Sequence, residues 1–120
     1  MNPTTRPDLY LGHLIITAVE GGSNHWAQFR DYHPDPNDIE PISIKVRDGG
    51  FEGGDPEPWV RVTEPKIRAA LRSVSMDGDL APHFREMARN ILAEGMNADY
   101  DAADADVVMQ HAVLGEVIYG

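Results

Sequence analysis

Cysteine is absent from this 120-residue chain, which excludes disulfides and thiolate-ligated zinc and fits a reducing compartment. Lysine is scarce: the ten basic residues are eight arginines and two lysines. No stretch approaches the roughly 20 apolar residues that a membrane-spanning helix needs, because the longest run, 14–16, extends only to position 19 through Thr17 and Ala18. The first residues carry no basic region followed by an apolar one, so no signal peptide is expected. Nor is there a phosphate loop, dinucleotide fingerprint, serine elbow or paired-cysteine motif. These absences point to a cytoplasmic protein without cofactor and argue against the common enzyme classes.

What is present is mostly acid, unevenly placed. The net charge is −10, of which residues 1–44 contribute −4, residues 45–90 nothing and residues 91–120 −6. This balance disfavours duplex nucleic acid, whose affinity for proteins rests on basic residues neutralising phosphates. An acidic surface can instead mimic nucleic acid toward a basic host protein.

The length suits one domain, 1–120, and the hydrophobic pattern predicts α+β. Residues 8–20 read as a helix with Asp8 as N-cap and Gly21-Gly22 as its stop. Strands are expected over 25–33, 42–47 and 59–63, with a stiff proline loop at Pro34, Pro36 and Pro41. Thr63 has the marks of an N-cap, with Pro65 in the first turn and Val62 and Ile67 at hydrophobic-staple positions. A further helix follows Asp77-Gly78-Asp79 and ends at Gly95. The last begins near 101–104 and stops at Gly115, and Glu116 to Tyr119 reads as an edge strand or a final turn. The expected fold is a three-stranded antiparallel sheet packed with about four helices.

Two constellations are candidates for binding. Strand alternation places Trp26, Arg30, Tyr32, Lys45, Arg47, Trp59 and Arg61 on one sheet face, where indoles and cations suit a stacked base and a phosphate. A covering helix or a second subunit is the structural alternative. Exposed Trp26 and Trp59 would form a large apolar patch, so a homo-oligomer is expected. The second set joins the two apolar stretches that polar residues interrupt: Glu20, Asn24, His25, Asp106, Gln110 and Glu116. Asp106 and Gln110 lie four apart and share a helix face. Such a set suits a small ligand with donors and acceptors, or caps helix ends and satisfies loop backbone. His25 could act as a general base with Glu20 or Glu116 in a small hydrolase, although no nucleophile motif accompanies it.

Metal binding is not expected. Asn97, Asp99 and Asp101 begin like a calcium loop, but Ala102 replaces the required glycine and Val108 the bidentate glutamate. His25, His33, Asp35 and Asp38 lack zinc-ligand spacing.

The segments Thr17-Ala18-Val19-Glu20-Gly21-Gly22, Asn24, Trp26-Ala27 and Tyr32, with Ala105-Asp106-Val107-Val108, Gln110 and Gly115-Glu116-Val117-Ile118-Tyr119-Gly120, resemble a family of small uncharacterised proteins encoded by phages of actinobacteria and related host genomes. His25 stands where a tyrosine is more usual, and Leu114 where a phenylalanine is. The resemblance implies a phage accessory role in the host cytoplasm. The leading expectation is a non-enzymatic binding protein, an anti-defence factor that sequesters a nucleotide-like signal or inhibits a host protein. The alternatives are an acidic protein-interaction module and the His25 hydrolase.

Overall fold

The computed structural model describes residues 9–32, 42–51 and 53–119, apart from the side chain of Met96. Helix α1 (Leu9–Thr17) continues into one π turn (Ala18–Gly22), and three strands follow: β1 (Ala27–Arg30), β2 (Ser43–Asp48) and β3 (Val60–Thr63). Helices α2 (Glu64–Met76), α3 (Pro82–Glu94) and α4 (Ala102–Leu114) complete the chain, with a 3₁₀ turn (Gly95–Asn97) between the last two. The sheet has order β1-β2-β3 and is antiparallel throughout. This is the α+β fold that the hydrophobic pattern predicts. Asp8 as N-cap and the proline loop with His33, Asp35 and Asp38 lie outside the described residues.

Period-two alternation decides which way the sheet faces. Ile44, Val46 and Val62 are fully buried against the helices, while Gln28 pairs with Arg47, Arg30 with Lys45 and Lys45 with Arg61 on the other side. Helix α2 starts as its sequence requires: Thr63 accepts a hydrogen bond from the Lys66 amide, Pro65 sits in the first turn, and the staple residues Val62 and Ile67 are buried. Its first residue is less ordinary. Glu64 is 2% exposed, and its Oε2 accepts from the Ile42 amide at 2.8 Å. Gly12 of α1 makes room for that carboxylate, since a Cβ there would lie 2.9 Å from Glu64 Oε2.

Helix α2 packs on both α3 and α4. Arg85 and Arg89 of α3 reach back to its end and donate to the carbonyls of Asp77, Leu80 and Ser75, which places cations where the helix dipole is negative. His111 of α4, nearly buried, lies 3.0 Å from Asp77 Oδ2. Helix α4 opens with a capping box between Asp101 and Asp104 and closes at Gly115 with φ 80°. Burial pushes the Asp104 carboxyl above its usual range, against the lowering effect of its backbone hydrogen bond at Asp101.

Two local expectations are corrected. Gly21 and Gly22 do not close α1 in the left-handed conformation; neither has positive φ, and the helix widens by one residue, with the Ser23 amide bonding to the Ala18 carbonyl. The second glycine is required instead for close approach. A Cβ on Gly22 would fall 2.6 Å from the Ala102 carbonyl oxygen, whereas Gly21 has nothing within 4 Å. The end of the chain, 116–119, forms neither an edge strand nor a turn of helix, for reasons given below.

Gly22→Ala is therefore expected to cost about 1–3 kcal/mol by forcing α4 away from the π turn. Gly21→Ala should be neutral or stabilising by up to about 1 kcal/mol. Urea denaturation of the two variants measures the difference, and equal midpoints would contradict the close-approach account.

Candidate functional site

The two interrupted apolar stretches meet at one carboxylate. Asp106 is buried on α4, and its Oδ1 accepts from Ser23 Oγ and from Trp26 Nε1, both at 2.7 Å. Its Oδ2 accepts from Gln110 Nε2 at 2.9 Å, and His25 Nε2 stands 3.6 Å away. The π turn is what delivers Ser23: the extra residue sets its hydroxyl over α4, and the turn 24–26 then brings the Trp26 indole to the same oxygen. Gln110 is spent completely. Its amide nitrogen also donates to the Tyr119 carbonyl, while its oxygen accepts from the Ile118 and Tyr119 amides, each at 2.9 Å. A strand or helix at 116–119 would need those backbone groups for itself. The Tyr119 ring then stacks on Trp26, with centroids 6.0 Å apart and planes at 11°, and its hydroxyl donates to Asp48 Oδ2.

Serine, histidine and aspartate thus converge, but not in catalytic order. The Ser23 proton goes directly to the carboxylate, the hydroxyl is fully buried, and the imidazole approaches the other oxygen from the exposed side. In an acyl-transfer triad the imidazole lies between the hydroxyl and the carboxylate. The network is built to satisfy a buried charge. Glu20, Asn24 and Glu116, expected with it, are exposed, whereas Ser23, Trp26, Tyr119 and Asp48 belong to it and sequence reasoning did not include them. Only the indole N–H carried a signal, since buried tryptophans generally find an acceptor.

The sheet face is partly as expected. Arg30 and Arg47 each place the guanidinium carbon 4.4 Å from the centroid of Trp59. Gln28 Oε1 accepts from Arg47 Nε at 2.7 Å, fixing that side chain further. Lys45 lies 3.4 Å and Arg30 4.0 Å from Asp31 Oδ2, and Arg61 donates to Ser43 Oγ. Arg30 and Arg61 are exposed, and Lys45, Arg47 and Trp59 half-buried.

Trp26 and Tyr32 are corrections to this set. Strand β1 begins only at Ala27, so alternation does not reach Trp26, which is 1% exposed in the core. Asp31 adopts φ 55°, ending the strand and turning the chain. Tyr32 consequently packs against the core, where burial first and the Glu20 carboxylate second raise the pKa of its phenol. The large exposed apolar patch expected from two tryptophans is reduced to Trp59, which two guanidiniums already engage.

Among the described residues no helix is long and apolar enough to cross a membrane, and no three histidine, aspartate or glutamate side chains could hold a metal ion. The class defined by fold and site is a small α+β domain with a buried carboxylate hub and an open arginine–tryptophan face. No family model, curated protein or solved structure matches the chain.

Asp106→Ala is expected to destabilise the fold by about 3–4 kcal/mol, because three buried donors lose their acceptor. Gln110→Ala should cost about 2–3 kcal/mol and unstack Tyr119 from Trp26, seen as a changed Trp26 emission in a Trp59→Phe background. Glu116→Ala should stay within about 0.5 kcal/mol. Chemical denaturation followed by fluorescence orders the three, and an Asp106→Ala variant as stable as Glu116→Ala would remove the hub from the account.

Proposed function

We propose that this chain is a non-enzymatic accessory binding protein whose open sheet face takes an anionic, nucleotide-type ligand. The observation that carries this reading is the placement of Arg30 and Arg47 on Trp59, with Lys45 and Arg61 on the same face. A guanidinium held over an indole can still offer N–H groups to phosphate and loses less freedom on binding. Among the described residues Asp31 is the acid paired with this group. In a chain of net charge −10, such a cationic island directs anions to one place. A base that stacks on Trp59 exchanges with a guanidinium, so phosphate contact is the larger expected contribution and stacking the smaller.

The acidic-module reading has less support. Of the six acids in residues 91–120, Asp106 is consumed in the core and Asp104 in the α4 cap. The phage-type accessory role rests on the sequence resemblance and is compatible with ligand capture.

Calorimetry against mono-, di- and cyclic nucleotides, with inorganic phosphate as reference, tests the proposal. Binding should perturb Trp59 but not Trp26 emission, weaken with salt, and fall at least about tenfold in Arg47→Ala, the usual scale for losing a charge-assisted hydrogen bond. Absence of heat with every nucleotide at low salt would overturn it.

A further inference from the structure

On the other side of the sheet, between the start of β3 and the end of α4, lies a cleft of about 400 Å³. That is within the range of roughly 300–1,000 Å³ typical of small-molecule sites. Its apolar lining residues are Pro58, Val60, Val113, Leu114 and Ile118, and its polar ones are the acids Asp48 and Glu57. Among the described residues no lysine, arginine or histidine lines it. Val113 and Leu114 are the last residues of α4, so the negative end of that helix dipole adds to the field of the two acids. Asp48 is fixed in position: Oδ1 accepts from the Gly50 amide at 2.9 Å and Oδ2 from the Tyr119 hydroxyl. Ile118 is 56% exposed, one of the few large apolar side chains left uncovered, and Gln110 holds its backbone in that position.

The geometry points to a second binding site, independent of the sheet face, for a small organic cation: an ammonium or guanidinium group attached to an apolar body. The cation neutralises Asp48 and Glu57, and the body covers Val60, Val113, Leu114 and Ile118. A neutral ligand of the same shape gains only the apolar contact. An anion is repelled by both carboxylates and by the helix end.

Methyl-labelled protein titrated with phenethylamine, and in parallel with phenethyl alcohol and hydrocinnamate, tests this by NMR. Phenethylamine should shift the methyl signals of Val60, Val113, Leu114 and Ile118 saturably, the alcohol should bind at least about tenfold more weakly, and hydrocinnamate should not bind. Glu57 is exposed, so Glu57→Gln tests the charge without disturbing the fold. That variant should weaken the amine about five- to tenfold and leave the alcohol unchanged. Arg47→Ala should leave amine binding unaltered, which separates this site from the anion-binding face. Equal affinity for amine and alcohol, or unmoved methyl signals, would overturn the proposal. So would Ile118 shifts that depend on protein concentration alone, because a second copy of the chain would then cover the cleft.

Discussion

The structure depends on keeping one buried carboxylate satisfied. An ionised aspartate removed from water is tolerated only when hydrogen bonds replace its solvation, and Asp106 receives them from Ser23, Trp26 and Gln110. Those donors come from the far ends of the chain, so the requirement is also a tertiary constraint. It holds the π turn against α4, sets the indole of Trp26, and through Gln110 ties down residues 118 and 119. The close approach of Gly22 to the Ala102 carbonyl serves the same end. Without it Ser23 would stand too far from α4 to reach the carboxylate.

Charge is divided with similar economy. Acids occupy positions where backbone or side-chain donors compensate them: Asp101 and Asp104 cap α4, Glu64 receives the Ile42 amide, and Asp106 receives side-chain donors. The arginines of α3 cap the carbonyl end of α2. The cationic set on the outer sheet face is held differently: Arg30 and Arg47 lie over Trp59, and Asp31 stands beside Arg30 and Lys45.

How much of this was legible in the sequence follows from the range of each interaction. Thr63 with Pro65, the Asp101 start of α4 and the Gly115 stop are local rules, read within four residues, and each appears where expected. Strand alternation likewise placed Arg47 and Arg61 on the outer face. It failed at Trp26 and Tyr32 because the strand is four residues long and the left-handed Asp31 cuts the period. Burial of the Glu64 carboxylate was not legible, because it depends on Gly12 more than fifty positions earlier. The pairing of Asp106 with Gln110 was legible from their spacing; that Ser23 and Trp26 complete it was not, since no local pattern encodes contacts across some eighty residues.

Stability and binding geometry meet in the last residues. Gln110 satisfies Asp106 with its amide nitrogen and the chain end with both of its polar atoms. Tyr119, so placed, stacks on the indole that Asp106 orients and donates to the carboxylate that borders the cleft. Ile118, its neighbour, forms the cleft wall. A disturbance at the hub therefore reaches the cleft through a continuous series of hydrogen bonds. The outer face is not connected in this way. Its arginines are held by Trp59 and Gln28 on the sheet itself, so its geometry survives changes at the chain end as long as the sheet is intact. One small core thus supports two surfaces with different mechanical dependence: one set by strand register, the other by how firmly a glutamine grips the end of the chain.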